Sequence, residues 1–297
     1  MNTPLISIIT VCYNIKDEIK RTCESIVNQT YQNFEWIVVD GASTDGTVEI
    51  LSAYKDKMHI FISEKDTGIY NAMNKGILKA RGKWLIFLNG GDAFSSSDIL
   101  EKFSQLSGCY KYADIIYGDV NMVNTHGTKK RIEYPYPLTK AYFYHGETIN
   151  HQTSFIKREL FNKYGLYDES FRIASDWEKW IVFIINNCKF MKWEYIVSDF
   201  FRGGASSTQL DLLNQEIKEI EKSYFIAGDL DEAFYQGQKQ ILLFNKIPFL
   251  SIKRKCSPLK ITIKLFKFIP IYGIKKKNGS YIHYLFTCIP FLTIRGK

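Results

Sequence analysis

The chain has 297 residues, of which 45% are hydrophobic and 15% aromatic, a composition that excludes intrinsic disorder and suffices for one large domain with an appendage. Its formal net charge of +8 is unevenly distributed: residues 246–297 contain 12 Lys and Arg and no acidic residue, whereas residues 1–245 contain 27 basic and 31 acidic residues. The body is therefore mildly acidic, with a net charge of −4, and the basicity belongs to the C-terminal tail.

Cysteine spacing and hydropathy predict a cytoplasmic protein without a membrane span. The six cysteines are scattered and form no Cys-x-x-Cys pair, which favours reduced thiols over a disulfide framework. The first apolar run, at residues 5–9, has no basic segment before it and predicts a strand rather than a signal peptide. No segment contains the roughly 20 apolar residues that a helix needs to cross a bilayer.

The first 90 residues alternate between short apolar runs and amphipathic segments. Strands are predicted at 5–11, 34–39, 59–63 and 84–89, the last of them buried on both faces, with a helix after each of the first three. Strands that alternate with helices of about 10–15 residues predict βαβ units, right-handed crossovers and a mainly parallel sheet. The predicted fold class is therefore α/β.

Polar residues follow each of these strands at its carboxyl end. They are Thr10, Asn14, Asp40, Glu64, Asp66, Asn89 and Asp92. Because parallel strands end at one edge of the sheet, where open α/β sheets bind their ligands, these residues should form one site. The alternative for Asp92, which follows two glycines, is a polar turn without chemistry.

The missing motifs limit what this edge can bind. Neither G-x-G-x-x-G nor G-x-x-x-x-G-K-[ST] occurs, so a glycine-rich helix N-terminus is not the main phosphate site. An acidic edge binds a diphosphate only if a divalent metal bridges the negative groups, as Mg²⁺ and Mn²⁺ do. This predicts Asp92 as the metal ligand and Asp40 as a hydrogen-bond acceptor for a base or ribose.

Four segments in order resemble family 2 glycosyltransferases of the GT-A fold, especially bacterial capsule, colanic-acid and O-antigen enzymes. They are ISIITVCYN at 6–14, VVDGASTDGT at 38–47, SEKDTGIYNAMNKG at 63–76 and NGGD at 89–92. The resemblance covers roughly residues 4–206. It assigns donor binding to Thr10, Tyr13, Asn14, Asp40, Asp66, Asn74 and Gly91, and it matches Asp92 to the last Asp of the family's D-x-D region. Many relatives carry two or three acids there, so an alternative is a catalytically weak nucleotide-sugar-binding relative.

The resemblance aligns Asp176 with the general base of inverting enzymes. Such a carboxylate takes a proton from the acceptor hydroxyl, while the metal stabilises the departing nucleoside diphosphate. The alternative is that Ser175 or Asp176 only caps the following helix. Glu178 is the second candidate base, although two positions along a helix direct it away from Asp176.

Three further features are assigned to the acceptor side and the diphosphate. Aromatic residues at 134–144 could wall an acceptor cleft, and His151 precedes a predicted strand at 153–157. A histidine in a loop is otherwise structural. Arg202, followed by two glycines, predicts a mobile loop that pairs with a phosphate.

The C-terminal tail contains a repeat. The sequences IPFLSIKRK, IPIYGIKKK and IPFLTIRGK begin at residues 247, 269 and 289. Apolar runs beside cationic clusters suit an anionic membrane surface. The alternatives are a solvated tail packed on the body and, less favoured, nucleic-acid binding, since no nucleic-acid module accompanies the charge.

Together these features predict a GT-A domain at 1–207, with nucleotide-sugar binding in about 1–120 and the acceptor side in about 121–207. A two-helix extension at 208–245 and the basic tail at 246–297 follow. The predicted enzyme is an inverting, Mn²⁺- or Mg²⁺-dependent hexosyl- or N-acetylhexosaminyltransferase using a UDP-sugar and a saccharide or lipid-linked acceptor. It would act in surface polysaccharide synthesis on the inner face of the cytoplasmic membrane.

The absence of a Q-x-x-R-W motif and of membrane helices favours non-processive transfer. A sugar nucleotidyltransferase is the alternative enzyme class. It would require a G-x-G-T-R-type loop after the first strand, where this chain has Val11-Cys12-Tyr13-Asn14.

Overall fold

A computed structural model describes residues 3–106, 108, 111–124, 126–144, 146–201 and 209–224, and the backbone of residues 250–254, 261–265, 269–277, 280–285 and 289–295. The chain divides into two compact units, Met1–Ile226 and Ala227–Lys297. The two units are described separately.

The first unit is built on a nine-stranded mixed sheet. Its strands are β1 (Ile6–Cys12), β2 (Phe34–Asp40), β3 (Ile60–Ser63), β4 (Trp84–Phe87), β5 (Ala93–Phe94), β6 (Ile115–Val123), β7 (Lys129–Ile132), β8 (Ser154–Lys157) and β9 (Phe190–Phe201). Their order is β3-β2-β1-β4-β8-β6-β9-β5, and β7 pairs with β6. The first four strands are mutually parallel, whereas β8 is antiparallel to both β4 and β6.

Helices cover both faces of this sheet. They are α1 (Lys16–Val27), α2 (Thr47–Ser52), α3 (Ile69–Lys79), α4 (Ile99–Leu106), α5 (Lys140–Tyr144), α6 (Arg158–Tyr164), α7 (Ser175–Ile185) and α8 (Leu210–Tyr224), with 3₁₀ turns at Lys55–Lys57 and His151–Thr153. Alternate residues of β1 enter two different cores: Ile8 lies in one and Ile9 in the other. Burial on both faces is the property that made the apolar runs identifiable as strands.

The strand β4 ends at Phe87, two residues earlier than predicted, and the chain then turns sharply. Hydrogen bonds from the Leu88 and Gly90 amides to β1 still hold the segment against the sheet. A Cβ atom on Gly90 would lie 2.0 Å from the Ile15 side chain, so this glycine allows the turn to pack against the start of α1. Gly91 has a φ of +100°, a conformation that glycine adopts without strain.

The helix α8 is part of the first unit. Its Ile220 is fully buried in the core that also contains Trp177 and Trp180 of α7. This helix is the first of the two predicted at 208–245; the second lies outside the described residues. Within the part of the chain that the structure describes, no helix has the length and apolar character needed to cross a bilayer.

The second unit contains a five-stranded antiparallel sheet. Its strands are β10 (Leu250–Arg254), β11 (Ile261–Leu265), β12 (Ile269–Lys277), β13 (Ser280–Leu285) and β14 (Ile289–Arg295), in that order across the sheet. The three sequence repeats supply β10, β12 and β14, which therefore run in the same direction.

The register of this sheet also repeats. Ile252 is aligned through β11 with Tyr272, and Ile274 is aligned through β13 with Leu292. Each copy is thus offset from the one before by two residues after the register shift, and by three residues before it, as in the alignment of Pro270 with Ser251 and of Pro290 with Gly273. The two register shifts also fall at one repeat position, because they leave Ile271 and Phe291 without a partner. The repeat seen in the sequence is therefore also a repeat of backbone structure.

Candidate active site

Asp40 organises the loop that follows β2. Its carboxylate is fully buried and accepts hydrogen bonds from the Ser43 amide at 3.0 Å, the Ser63 hydroxyl at 2.7 Å and the Ser43 hydroxyl. Ser63 ends β3, so this one carboxylate connects the ends of two neighbouring strands and the loop between β2 and α2. Asp40 lies at the predicted edge, and it also shapes that edge.

Asn14 and Asp45 attach this loop to the end of β1. Asn14 has a φ of +49°. Its backbone N–H donates to the Ser43 hydroxyl at 2.8 Å, and its side-chain Oδ1 accepts from the Thr44 backbone N–H at 2.9 Å. Asp45 accepts from the Lys16 amide at the start of α1, and hydrogen bonds led by that of Thr47 lower its pKa to about 2. The segment at 38–47 contains Ser43 and Asp45, but the family resemblance assigns a site role to neither of them.

Tyr13, Gly41 and Asp66 lie together at the open end of the sheet. Tyr13 is 62% exposed. A Cβ atom on Gly41 would lie 2.5 Å from Oδ2 of Asp66 and 3.2 Å from the Tyr13 ring, so only glycine leaves this contact undisturbed. Burial raises the pKa of Asp66, and the neighbouring Asp40 carboxylate raises it further. The cluster combines an aromatic face with acidic hydrogen-bond acceptors.

Two residues assigned to the donor site have their side chains engaged inside the protein. Thr10 is fully buried and its hydroxyl oxygen accepts from the Trp36 indole at 3.0 Å. Asn74 is also buried and bonds to the backbone N–H and C=O of Tyr167 and to Glu169. Their contacts stabilise the walls of the site, as do those of the fully buried Asp40, and the residues that present groups at its edge are Tyr13 and Asp66.

Asp92 is held in a buried position after the glycine turn. Its side-chain oxygens accept from the Gln152 amide at 3.2 Å and from the Phe201 backbone N–H at 3.4 Å. Thr22 of α1 holds the backbone, accepting from the Gly91 amide at 2.9 Å and donating to the Asp92 carbonyl at 2.6 Å. The site therefore joins the end of β4 to α1, the 3₁₀ turn before β8 and the end of β9.

The electrostatics of Asp92 favour a bound cation. Burial raises its pKa to about 7, while the Phe201 hydrogen bond and the positive charge of Arg21 oppose the rise. A buried carboxylate without a full counter-charge is unfavourable in its ionised form. A cation would remove that cost.

The residues around Asp92 fit a hard divalent ion. Oδ1 of Asn89 and Oε1 of Gln152 are buried and have no hydrogen-bond partner among the described residues. One carboxylate with amide oxygens is a donor set that Mg²⁺ and Mn²⁺ accept, with phosphate and water oxygens completing the shell. Nowhere in the described part do three His, Cys, Asp or Glu cluster around one point. The sequence gives no sign of Gln152 as a site residue beyond its place next to His151.

Asp176 makes three polar contacts at the start of α7. Oδ1 accepts from the Trp177 amide at 2.9 Å and lies 3.0 Å from the Tyr70 hydroxyl, which also donates to the Ile173 carbonyl at 2.5 Å. Oδ2 accepts from Nδ1 of His151 at 3.0 Å. The alternative that Ser175 or Asp176 caps this helix is wrong: the N-cap residue is Ala174 and makes no side-chain cap hydrogen bond. Both residues lie within the first turn.

Glu216 accepts hydrogen bonds from the backbone amides just before α7, where no side chain caps the helix. This buried carboxylate of α8 accepts from the backbone amides of Arg172 at 2.6 Å and of Ile173 and Ala174 at 2.9 Å. Sequence reasoning missed it. The available signal was an acid beside the apolar stripe Leu213, Ile217 and Ile220.

Glu178, the second candidate base, faces α8 instead of the site. Its Oε1 accepts from the Tyr224 hydroxyl, and its Oε2 lies 3.5 Å from Lys179. Arg202 lies outside the described residues.

His151 connects Asp176 to the turn that carries Asp92. Its Nδ1 contacts Asp176, and its Nε2 lies 3.0 Å from Nδ2 of Asn89, three residues before Asp92. The predicted base is thus linked to the segment of the predicted metal residue, a relation that the 84 positions between Asp92 and Asp176 conceal in the sequence.

Comparisons with known proteins identify the family. The model of the family described as Glycosyl transferase family 2 matches residues 7–165. A PGL/p-HBAD biosynthesis glycosyltransferase of Mycobacterium bovis is 32% identical over 216 residues, 71% of this chain and 82% of that protein.

Two solved structures share the fold. S. aureus TarS 1–349 in complex with UDP-GlcNAc has a TM-score of 0.60 at 19% identity, covering 81% of this chain and 70% of that one. The mannosyltransferase PcManGT of Pyrobaculum calidifontis, in complex with GDP-Man and Mn²⁺, has a TM-score of 0.55 at 16% identity, covering 70% and 60%. These likenesses confirm the predicted GT-A α/β fold.

Proposed function

The chain belongs to glycosyl transferase family 2, and we propose that it is an inverting, divalent-metal-dependent transferase acting on a nucleotide sugar. The observation that carries this proposal is the pair of carboxylates, Asp92 and Asp176, held in different environments on either side of His151. One is buried among amide oxygens and suits a cation. The other is partly exposed and suits proton transfer. Because the chain belongs to this family, a glycosyltransferase is favoured over the alternative of a sugar nucleotidyltransferase.

Tyr13 and Asp66 would bind the nucleoside, and Asp40 would act by holding the loop between β2 and α2 in place. The exposed Tyr13 ring can stack on a base, and the Asp66 carboxylate can accept hydrogen bonds from base or ribose. UDP is the favoured nucleotide because TarS is seen with UDP-GlcNAc, although PcManGT is seen with GDP-Man. We therefore propose a UDP-linked hexose or N-acetylhexosamine as donor.

Asp92, with the amide oxygens of Asn89 and Gln152, would hold Mn²⁺ or Mg²⁺. When bound, the ion would neutralise charge on the diphosphate leaving group. PcManGT is seen with Mn²⁺, which supports manganese as the first ion to test. Arg202 remains the proposed phosphate partner.

Asp176 would act as the general base. The acceptor hydroxyl gives its proton to the carboxylate as its oxygen bonds to the anomeric carbon, and the bond from that carbon to the diphosphate breaks. A single displacement inverts the anomeric configuration, so an α-linked donor gives a β-linked product. No covalent nucleophile in the protein is required.

The acceptor is proposed to be a saccharide or a lipid-linked sugar used in surface polysaccharide synthesis, extended by one unit per reaction. The name of the mycobacterial relative refers to PGL/p-HBAD biosynthesis, which is compatible with a lipid-linked acceptor. We place the transferase in the first compact unit and propose that residues 246–297, with 12 cationic residues and no acidic one, dock on the anionic inner face of the cytoplasmic membrane.

A panel of UDP-, GDP- and dTDP-sugars, each with Mn²⁺ and a saccharide or lipid-linked acceptor, tests the function by transfer of labelled sugar. We expect Asp176→Asn to lower kcat by about 10²–10⁴-fold, the usual contribution of a general base, while calorimetry shows unchanged affinity for nucleotide with Mn²⁺. Wild-type protein that binds nucleotide but transfers no sugar would indicate the non-catalytic relative. Near-normal transfer by Asp176→Asn would eliminate its role as base.

A further inference from the structure

The His151 imidazole forms part of a continuous polar chain between residues 89–92, here called the donor loop, and the candidate base Asp176. The chain runs from Asn89 through His151 to Asp176, with both contacts at 3.0 Å. Resting on the proposed function, we propose that His151 is a positioning residue that fixes the Asp176 carboxylate and couples its orientation to the Asn89–Asp92 loop.

The partners determine how the ring is used. An ionised carboxylate only accepts hydrogen bonds, so Nδ1 of His151 carries the proton that Asp176 receives. The Asn89 amide nitrogen only donates, so Nε2 of His151 accepts. A neutral imidazole satisfies both contacts at once. The ring also packs edge-on against Phe87, with centroids 6.2 Å apart, which places it against the last residue of β4.

The same contacts argue that His151 orients the base and is not itself the base. Its Nε2 is engaged by Asn89, and its side chain is 14% exposed compared with 21% for Asp176. Tyr70 and Trp177 both contact Oδ1 of Asp176, leaving His151 as the donor to Oδ2. Removing the imidazole would free Oδ2 and let the carboxylate turn away from the acceptor hydroxyl.

Asn89 makes the coupling possible because its amide has two ends. Nδ2 holds His151, while Oδ1 is buried without a partner among the described residues. A donor complex that engages Oδ1 would fix the amide plane and, through Nδ2, the imidazole and the base. Occupancy of the donor loop would thereby order Asp176 before the acceptor reacts.

The first test compares His151→Ala and His151→Asn in the full-length protein. For His151→Ala we expect kcat to fall by about 10²-fold, as for a small misplacement of a reacting group. Affinity for nucleotide with Mn²⁺, measured by calorimetry, should stay within about threefold, because this side chain does not bind the donor. His151→Asn should regain at least about tenfold of the loss, since its amide can donate to Asp176 as Nδ1 does.

The control is His126→Ala, because His126 is exposed and only its backbone makes a hydrogen bond. It should leave kcat unchanged. Wild-type kcat in His151→Ala would overturn the proposal. Equal inactivity of His151→Asn and Asp176→Asn would also overturn it, because that result would identify His151 as a proton acceptor.

A double-mutant cycle tests the coupling. If Asn89 and His151 act through one chain, the loss in kcat for the double Ala variant should be smaller than the product of the two single losses, as for residues in one network. A loss equal to that product would refute the coupling. Failure of the proposed function is distinguishable, since the wild-type protein would then transfer no sugar from any donor in the panel.

Discussion

The surroundings of the buried Asp92 carboxylate disfavour its ionised form unless a cation binds there. Asp92 is only 6% exposed and accepts two hydrogen bonds, neither from a cation. Its pKa of about 7 means that the ionised form is disfavoured in the fold. The same residue in the unfolded chain ionises near pH 4. Its effect on stability therefore depends on pH in a defined direction.

Between about pH 4 and pH 7 the folded protein retains a proton on Asp92 that the unfolded chain has released. The free energy of unfolding should therefore fall as pH rises through this range, and Asp92→Asn should remove that fall. At about 1.4 kcal/mol per pKa unit, we expect the variant to gain about 4 kcal/mol relative to wild type between pH 4 and pH 8. Urea denaturation at the two pH values, without metal, measures the difference.

Asp17→Asn, an exposed position on α1, is the control and should show no such pH-dependent gain. Mn²⁺ should stabilise wild type at pH 8 but leave Asp92→Asn unaffected. A stability difference that is the same at both pH values would contradict the proposed burial effect.

The contact at Gly41 makes a second prediction at the residue scale. In Gly41→Ala the new methyl group would displace Asp66, whose Oδ2 lies 2.5 Å from that position. We expect nucleotide affinity to fall by about tenfold, the equivalent of one hydrogen bond of about 1.4 kcal/mol. Calorimetry with UDP and Mn²⁺ measures it. Gly108→Ala, where a Cβ atom meets nothing within 4 Å, should bind normally.

Local sequence could identify Asp40 and Asp92 because each follows a buried strand. It could not show that Thr10 turns inward to Trp36. Nor could it assign Gln152 to the same site as Asp92, because that contact spans 60 residues and depends on β8 entering the sheet beside β4. Contacts of this kind follow from strand order, which local periodicity does not encode.

At the scale of elements, the position of Asp176 depends on a helix from beyond the predicted domain. α7 starts without a side-chain cap, and Glu216 of α8 binds three backbone amides in the turn before it. The sequence located α7 by its apolar pattern. It could not reveal Glu216 because a carboxylate on an amphipathic helix ordinarily faces water.

Glu216→Ala would leave these buried amides without an acceptor. We expect it to lower the free energy of unfolding by about 2–4 kcal/mol, given a cost of about 1–3 kcal/mol for a buried unsatisfied group. It should also lower sugar transfer through displacement of the turn that precedes Asp176. Glu219→Ala, at an exposed position three residues along the same helix, is the matched control and should change neither quantity. Equal urea midpoints for the two variants would refute this role of Glu216.

In the mixed sheet, the parallel strands β1–β4 could be predicted from the sequence, whereas β5 and β7 could not. The four parallel strands were identifiable because each is an apolar run followed by an amphipathic helix. β5 has two residues and β7 has the sequence Lys-Lys-Arg-Ile, so neither carries an apolar or alternating pattern. Their positions are set by pairing with β9 and β6.

For the whole molecule, the contrast between an acidic body and a basic tail predicts that the tail is the part that binds an anionic membrane. The basic tail should bind vesicles containing anionic lipid, with each Lys or Arg near the surface contributing about 1 kcal/mol. Deleting residues 246–297 should abolish co-sedimentation with such vesicles while preserving transfer to a water-soluble acceptor. Unchanged co-sedimentation would refute membrane docking by the tail.

A charge-reversal variant separates charge from simple loss of the tail. Replacing Lys253, Lys275 and Arg295, which occupy the same position in the three repeats, by Glu should release the protein from anionic vesicles. The control replaces Lys20, Lys55 and Lys79 of the first unit by Glu. It makes the same change in net charge and should retain binding.

The repeated register bears on how such a tail can change in evolution. Successive copies are displaced by the same two offsets, and the shift between these offsets recurs at one repeat position. One strand pair is therefore the unit whose duplication or loss would leave the backbone pairing of the other strands unchanged. Homologues are expected to differ in the number of such units more readily than in the register within a unit.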